Sequence, residues 1–398
     1  MARALWIIIT CGALILTLST GLRASFGLFL KPMTVDLEIS RGIFAFAIGL
    51  QNLLWGVASP FAGAWADRLG TGRVIVAGSL FYALGLAGMA FGTDGPQIVL
   101  AQVLVGFGLA GAGFSTVLGA VGRAAPPEKR SMALGIAAAG GSFGQFAIVP
   151  YGHELMSYLG WHWALFGLAL TSLVMVPLAA GVAGKPADAG GPRQSLGEAL
   201  REAMTHRGFI LLTLGFFVCG FQVVFVATHL PAYLADKAMP GWLGAWSLAL
   251  VGLGNIVGTY ACGWLGGRYP KKTLLALLYL LRSLVFLIFI LMPLTEASVL
   301  AFAGTLGLLW LGTVPLTSGL VAYIFGPAYM SMLYGIVFLS HQVGSFMGSW
   351  LAGVAYDLTG SYDVMWWGSV AMGLVAAALN WPIVERPVAR LAAAQARA

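Results

Sequence analysis

The chain has 398 residues, of which 59% are hydrophobic and only 9% are charged. Soluble domains carry about 25% charged residues, so this composition excludes a water-soluble globular fold and indicates a membrane protein. The net charge of +7 does not indicate a nucleic-acid partner. In a membrane protein, the distribution of the basic residues among the loops indicates the orientation of the chain. The three cysteines lie far apart in apolar runs, as buried free thiols do, and no Cys/His spacing indicates a metal or cofactor site.

Apolar runs of about 20 residues, long enough for one helical crossing each, follow one another along the chain. In the first half they predict six helices, at 5–30, 42–65, 73–92, 97–121, 131–152 and 162–183. In the second half they predict six more, at 209–234, 243–266, 273–293, 297–324, 331–356 and 363–384. The first run is too long for a signal-peptide core and has no evident cleavage site, so we expect a retained helix.

A single long polar stretch at 184–208 divides these runs near the middle of the chain. It predicts a cytoplasmic linker between an N-terminal six-helix bundle at 1–183 and a C-terminal six-helix bundle at 209–398. A repeat supports two related halves, because Gly63 begins a glycine-rich and basic stretch after helix 2, and Gly263 begins a similar one after helix 8. Two related halves of this kind are typical of alternating-access transporters.

The basic residues predict the orientation of the chain. If both termini and the linker share one side, 16 of the 21 Lys and Arg residues lie there, and Lys31, Arg41 and Lys237 lie on the other side. Since cytoplasmic loops carry the excess of basic residues, both termini are predicted to be cytoplasmic. The expected fold is thus an all-α membrane protein of twelve transmembrane helices in two pseudo-symmetric six-helix bundles. The short loops favour a bacterial inner membrane as the location.

Three patterns in the sequence carry a resemblance to a known family. GxxxDRxGxGR at 63–73, partly echoed at 263–272, resembles the signature loop of the major facilitator superfamily. RSMALGIAAAG at 130–140 and GVAYDLTGSYD at 353–363 resemble fifth- and eleventh-helix motifs of its monocarboxylate transporter branch. The Asp and Arg that this branch carries on helix 8 are absent. The resemblance implies the major facilitator fold and transport of a small organic anion.

Arg23 is the most informative single residue, because a guanidinium keeps its charge and is costly inside a helix unless it faces water or an anion. It lies toward the outer end of helix 1. In the branch that the chain resembles, a functional basic residue lies near this point, before a Phe-x-Lys similar to 29–31. Arg23 is therefore interpreted either as the site of the substrate carboxylate or as a side chain that reaches the outer interface.

The other candidates for buried chemistry are Arg282 and two histidines. Arg282 lies about ten residues into helix 9, which is peripheral in this superfamily, so an inward structural role competes with substrate contact. No Asp or Glu lies in the middle of a predicted helix, which leaves His229 and His341 as candidates for proton coupling. Each histidine could instead be a hydrogen-bonding element between helices. Alternatively, the proton could travel on the substrate, with a histidine protonated alongside it.

A set of polar residues is expected to line the cavity, because helices 1, 4, 7 and 10 surround it in this superfamily and helices 2, 5, 8 and 11 flank it. Besides Arg23, the set comprises Gln51, Asn52, Ser115, Gln145, Tyr151, Gln222, Asn255, Tyr323 and His341. Many polar residues of this kind only join helices to one another. Asp67, Arg68, Arg73 and Arg130 are predicted to form a cytoplasmic gate, pairing in one conformation and separating in the other.

The sequence thus predicts a secondary active transporter that imports a small monocarboxylate, of lactate or pyruvate type, with a proton and by alternating access. The alternative is an exporter of an amphipathic or aromatic compound, although the Gly-Pro pattern of drug antiporters is missing from helix 5. A nutrient sensor would need a signalling domain, and an enzyme would need a nucleophile and a base. We expect a monomer whose partners are an organic anion, protons and the lipid bilayer, with no nucleic acid and no cofactor.

Overall fold

The computed structural model describes residues 2–125, 130–184, 196–326 and 330–389. The N-terminal group of helices comprises α1 (Ala2–Ala24), α2 (Phe26–Asp36), α3 (Arg41–Leu69), α4 (Thr71–Phe91), α5 (Gly95–Ala112), α6 (Phe114–Ala124), α7 (Arg130–Ser172) and α8 (Met175–Ala179). A short helix, α9 (Leu196–Thr205), lies within the predicted linker. The C-terminal group comprises α10 (Arg207–Asp236), α11 (Gly241–Gly266), α12 (Lys271–Leu291), α13 (Glu296–Leu308), α14 (Thr313–Phe325), α15 (Met330–Thr359) and α16 (Asp363–Asn380).

Helix α7 consists of two antiparallel limbs that meet at Gly160. This glycine has φ +75°, a left-handed conformation that side chains with a Cβ disfavour. The limbs pack on each other, since the Tyr151 hydroxyl lies 3.2 Å from Thr171 Oγ1. The turn falls between the predicted helices 131–152 and 162–183, as the sequence indicates.

Among the described residues, nine stretches are long and apolar enough to cross a membrane. One of them, Ala133–Val182, contains the reversal at Gly160 and so supplies two limbs. The helices α15 and α16, of 30 and 18 residues, follow these stretches and are not among the nine. The described helices are thus compatible with the predicted number of crossings.

Four of the predicted helices are interrupted within the described residues, which the apolar patterns do not indicate. Ser25 separates α1 from α2, Gly113 separates α5 from α6, residues 173–174 separate α7 from α8, and residues 309–312 separate α13 from α14. At the first break, the Ser25 hydroxyl donates to the carbonyl of Gly21 at 3.1 Å. Such breaks depend on hydrogen bonds made within the fold, so hydropathy alone predicts continuous helices at these places.

Glycines bring two pairs of helices close together in a related way. A Cβ at Gly144 of α7 would lie 2.0 Å from the carbonyl oxygen of Thr17 on α1. A Cβ at Gly344 of α15 would lie 2.0 Å from the carbonyl oxygen of Phe217 on α10. Small residues permit this close approach of backbones, which stabilises helix pairs in membranes. The same contact in the two groups is consistent with the repeat in the sequence.

We expect Gly344→Ala to destabilise the protein, because the added Cβ overlaps the Phe217 carbonyl and forces α10 and α15 apart. Overpacking of this kind costs about 1–3 kcal/mol. The matched control is Gly263→Ala, since no atom lies within 4 Å of a Cβ there and Ala favours a helix over Gly. Thermal unfolding in detergent measures both variants. Equal melting temperatures for the two would contradict the close packing of Gly344.

The two groups of helices meet at one end of the molecule, here called the Arg41 end. Helices α3 and α15 run antiparallel along this contact. The Ser349 hydroxyl donates to the carbonyl of Ala45 at 2.9 Å, and Gln342 Nε2 donates to the carbonyl of Asn52 at 3.0 Å. The contact therefore extends from the Arg41 end to about the middle of both helices.

Toward the other end, here called the linker end, the two groups separate. Gly56 of α3 lies against Gln342. Gly63 lies two turns further along the same face of α3, and Gly335 lies two turns from Gln342 on α15. No atom of the described residues lies within 4 Å of a Cβ built on either glycine. Among the described residues, the facing surfaces of α3 and α15 thus have open space between them at the linker end.

Helices α7 and α11 repeat this arrangement. Asn255 Nδ2 donates to Ser142 Oγ at 2.9 Å, which joins the two groups near the middle. Beyond that contact, a Cβ on Gly135 or Gly263 would meet no atom within 4 Å. In the part of the chain that the structure describes, the two groups are thus in contact at the Arg41 end and apart at the linker end.

Candidate functional site

Arg23 lies near the end of α1, and its guanidinium has unused donors. Nη2 donates to Oδ1 of Asn52 at 3.0 Å, and the Asn52 side chain is held by its own bond to the carbonyl of Ile48 at 2.7 Å. The Trp55 ring lies 5.3 Å from the Arg23 Cζ atom. Nε of Arg23 is buried and has no hydrogen-bond partner among the described residues. Arg23 is thus positioned by α3 and can still bind an anion.

A small cavity adjoins this guanidinium and is built by both groups of helices. It is lined by Arg23, Phe26, Gly27, Ile48, Asn52, Val224, Ala227 and Thr228. On the side of the Arg41 end it is closed by α2 and α10, because a Cβ at Gly27 would lie 2.1 Å from the Ala227 carbonyl oxygen. The lining is apolar apart from Arg23, Asn52 and Thr228, and the enclosed space of about 10 Å³ has room for about one water-sized group beside the guanidinium.

A chain of hydrogen bonds leads from Arg23 to His341. Asn52, which accepts from Arg23 through its side chain, accepts from Gln342 Nε2 through its backbone. The Oε1 atom of Gln342 lies 3.1 Å from Nδ1 of His341. The His341 ring is held between Phe216 and Phe338, with centroid distances of 4.9 and 5.8 Å. Two predicted site residues on different halves of the chain are thus connected.

Arg282 is only 1% exposed and binds the interruption between α13 and α14. Its Nε and Nη2 atoms donate to the carbonyl of Leu309 at 2.8 and 2.7 Å, and Nη2 also donates to the carbonyl of Trp310. Its Nη1 atom donates to Oε1 of Gln222 and to the sulfur of Cys219, both at 3.4 Å. Of the two interpretations that the sequence left open, these contacts favour the inward structural role.

Three more predicted residues join helices. Gln145 Nε2 donates to the carbonyl of Leu248 at 3.0 Å, which links α7 to α11. Asn255 Oδ1 accepts from the backbone N–H of Leu311 at 3.0 Å, so it satisfies a donor in the α13–α14 break. Gln222 Nε2 donates to the carbonyl of Ser369 at 2.8 Å. These residues support the walls of the cavity and are already bonded to protein.

The remaining predicted lining residues are not brought together with Arg23 by any described contact. Gln51 is fully buried, and neither polar atom of its side chain has a partner among the described residues. Tyr151 bonds Thr171 within α7, and Ser115 is exposed on α6. Tyr323 is exposed near the linker end, where the Lys271 ammonium lies 5.5 Å from its ring.

The predicted cytoplasmic gate is described only in part. Arg68 and Arg73 are exposed at the linker end of α3 and the start of α4. The side chains of Asp67 and Arg130 lie outside the described residues. The pairing of acid and base at this end therefore stays a prediction.

At the Arg41 end, a group of charged residues joins the two halves. Arg41 is 8% exposed, and its Nη2 atom donates to Oδ1 of Asp236 at 2.8 Å. The Lys31 ammonium lies 2.9 Å from the same Asp236 oxygen. The backbone N–H of Arg41 donates to Oδ1 of Asp357 at 3.0 Å, and the Tyr356 ring lies 3.7 Å from its guanidinium carbon. Arg41 of α3 thus contacts both α10 and α15.

His229 belongs to the same group of residues. Its Nδ1 atom lies 3.1 Å from the Tyr362 hydroxyl, which in turn accepts from Arg41 Nη1 at 2.9 Å. Its Nε2 atom lies 2.9 Å from the carbonyl of Ser349. An imidazole that donates from Nε2 and accepts at Nδ1 satisfies every bond in this chain, so the contacts fit a neutral ring. We call Lys31, Arg41, His229, Asp236, Asp357 and Tyr362 the Arg41 cluster.

Sequence reasoning assigned Lys31 and Arg41 only to outer loops and did not single out Asp236. The signal available was the presence of a lone carboxylate, Asp236, at the end of an apolar run. Its partners lie about 200 residues away along the chain, and a single sequence does not indicate such a pairing.

The two groups of apolar helices and the contact between them form a helical membrane scaffold, and the family comparison identifies it. The model of the Major Facilitator Superfamily matches residues 10–349. The chain belongs to the Major Facilitator Superfamily. Solved members share the fold at low identity. A bacterial homologue of the human lysosomal transporter Spinster, in an inward-facing and unoccupied conformation, matches with a TM-score of 0.78 and 14% identity over 96% of this chain and 97% of that one.

Other relatives are similar over most of their length. Mouse (Mus musculus) monocarboxylate transporter 11 is 28% identical, across 90% of this chain and 82% of that protein. Bovine (Bos taurus) monocarboxylate transporter 13 is 27% identical, across 90% of this chain and 84% of that protein. A D-xylose–proton symporter structure has a TM-score of 0.74 at 14% identity, across 96% of this chain and 98% of that one. The protein is thus a multi-pass membrane transporter of this superfamily.

Proposed function

We propose that this transporter moves a small monocarboxylate together with a proton, by alternating access, and that Arg23 binds the carboxylate. The protein would act in a bacterial inner membrane as a monomer and import its substrate. The observation that carries this proposal is the Arg23 guanidinium, which has a free donor beside a small cavity between the two groups of helices.

The chemistry at Arg23 supports an anion as ligand. Its bond to Asn52 orients the guanidinium, while the Nε–H group stays free to donate a hydrogen bond to an oxygen of the ligand. A planar guanidinium binds a carboxylate through two parallel hydrogen bonds. The apolar side chains of Phe26, Ile48 and Val224, which lie beside the guanidinium, would then contact the short carbon chain of the acid.

The shape of the molecule supports alternating access. Contact between α3 and α15 is confined to the Arg41 end and the middle, so the cavity beside Arg23 is covered on that side and lies toward the opening at the linker end. If the linker end is cytoplasmic, as the basic residues predict, this is an inward-facing state. Rocking of the two groups would open the Arg41 end and close the linker end.

The experiment that tests the proposal is uptake of labelled lactate and pyruvate into proteoliposomes, with and without an inward proton gradient. Wild-type protein is expected to accumulate the acid only with the gradient. Arg23→Gln is expected to lose accumulation, because a neutral amide leaves the carboxylate without a charged partner. Arg268→Gln, an exposed arginine at the linker end, is the matched control and should keep full uptake.

Two results would overturn the proposal. Uptake by Arg23→Gln equal to wild type would return Arg23 to a structural role. Absence of any monocarboxylate uptake by folded wild-type protein, with efflux of an amphipathic dye in its place, would favour the exporter that the aromatic composition also suits.

A further inference from the structure

Arg282 is a buried cation without a carboxylate partner. In the part of the chain that the structure describes, no Asp or Glu oxygen forms an ion pair with it, whereas Arg41 and Lys271 each have such a partner. Its contacts are to carbonyl oxygens, an amide oxygen and a sulfur. An unpaired charge inside a membrane protein is costly and is usually a functional residue with a partner close by.

The sulfur that Arg282 contacts belongs to Cys219 of α10, which is fully buried. The Sγ atom lies 3.4 Å from Nη1 of Arg282 and 3.2 Å from Oγ1 of Thr313, and the His341 side chain lies close to the same thiol. Side chains from α12, α14 and α15 thus converge on one sulfur, and those from α12 and α14 hydrogen-bond it. A buried cysteine that only fills space does not need such partners.

Helices α12 and α15 each place titratable side chains near Cys219. From α12 they are Arg282 and Tyr279, and from α15 they are His341 and Tyr334. An arginine does not release its proton in a protein, and a thiol is a stronger acid than a phenol. Cys219 is therefore the group in this set that can become the anion beside Arg282, and His341 is the group that can exchange its proton.

We infer that Cys219 is the buried proton-binding group of this transporter, with its thiolate as the counter-ion of Arg282 and His341 as the group that passes the proton. When the proton leaves, the S–H bond breaks, its electron pair stays on sulfur, and the proton moves to the His341 imidazole and then to water. When a proton enters, the reverse transfer restores the thiol. This inference rests on the proposed function only for its link to monocarboxylate transport.

Charge balance explains how such a group couples proton and anion. In the empty state, the negative charge of the Cys219 thiolate cancels the positive charge of Arg282. The three side chains then have a net charge of one, which is that of Arg23. With a carboxylate on Arg23 and a proton on Cys219, the net charge is again one. Binding of a proton alone adds a buried charge, which is unfavourable in low dielectric. Anion and proton are thus favoured together, and transport is electroneutral.

The competing explanation for Arg282 uses no thiolate. The residue lies at the C-terminal end of α13, where carbonyl oxygens and the helix dipole carry partial negative charge. If these groups alone compensate the guanidinium, Cys219 stays a thiol. The two explanations differ in the charge state of one sulfur atom, which can be measured.

The first experiment measures thiolate by its ultraviolet absorbance in purified protein at neutral pH, without substrate. We expect Cys219→Ser to lose the absorbance of one thiolate, whereas Cys262→Ser, which removes another buried thiol of the C-terminal group, should lose none. Acid titration of wild-type protein should remove the same signal. Wild-type protein without thiolate absorbance at neutral pH would overturn the inference, even if the variants did not fold.

The second experiment measures coupling in proteoliposomes. Cys219→Ser, which has no acidic group, is expected to lose accumulation driven by a proton gradient while it keeps exchange of labelled for unlabelled acid. Cys219→Asp is expected to restore accumulation, and a membrane potential alone should drive none in wild type. Undiminished gradient-driven accumulation by Cys219→Ser would overturn the inference. Failure of wild type to transport any monocarboxylate would overturn the proposed function instead, and the absorbance result would stand.

Discussion

Arg282→Met is expected to leave most of the protein unfolded or aggregated when it is extracted in detergent. The substitution removes the donors that satisfy the carbonyls of Leu309 and Trp310, where the chain between α13 and α14 is not helical. Each buried carbonyl left without a partner costs about 1–3 kcal/mol. It also leaves Gln222 without the bond to its Oε1 atom.

Arg282→Lys should also leave most of the protein unfolded or aggregated. One ammonium group cannot reproduce the planar guanidinium, which reaches two carbonyls and a side chain. Arg268→Met is the control, since Arg268 is exposed and its guanidinium carbon stacks 3.7 Å from the Trp264 ring. The measurement is the fraction of monodisperse protein by gel filtration, followed by thermal unfolding. If Arg282→Met were as stable as Arg268→Met, the role of Arg282 in holding the break would be wrong.

The second large effect is expected from Arg41→Ala, which should shift the protein toward a state that is open at the Arg41 end. Truncation of one partner of a buried, hydrogen-bonded charge pair costs about 2–5 kcal/mol. In this protein, the substitution destabilises the conformation that is closed at the Arg41 end, in which Arg41 contacts Asp236, Asp357 and Tyr362. Since 1.4 kcal/mol is about tenfold in an equilibrium, the lower value already shifts the ratio of states by about 30-fold.

Spin labels at exposed positions can measure this shift. Labels at Val35 and Val364 report on the Arg41 end, and labels at Leu69 and Tyr269 report on the linker end. In Arg41→Ala we expect the first distance to increase and the second to decrease. Lys237→Ala removes an exposed cation at the same end and is the control. Unchanged distance distributions in Arg41→Ala would contradict a closing role for the Arg41 cluster.

Much of the scaffold could be predicted, because hydropathy and small-residue patterns are local properties of the chain. The order of the helices and the reversal near Gly160 follow from apolar runs and their breaks. The resemblance to the major facilitator superfamily is confirmed by the family match over 10–349. The helices exceed some predicted ranges, as in α3 (Arg41–Leu69), because polar helix ends extend beyond the apolar core that hydropathy detects.

The candidate site could be predicted only as single residues. Arg23, Asn52 and His341 were selected by type and expected position, but their connection through Gln342 depends on which faces of α3 and α15 meet. Cys219, like the other cysteines, is predicted from its apolar run to be a buried free thiol, and its contact with Arg282 follows from the packing of α10 on the break after α13. Contacts of this kind arise from tertiary structure, and no local pattern encodes them.

The glycines at the linker end of α3 and α15 differ from those at the Arg41 end in what they contact. At the Arg41 end, Gly49 of α3 is pressed against Phe346 of α15, so closure there uses the absence of a side chain. Gly63 and Gly335 present the same bare backbone at the linker end with nothing yet in contact. These glycines make no close contact in the packing described. Under the proposed alternating access, their bare backbones would let α3 and α15 approach each other at the linker end when the two groups of helices rock together.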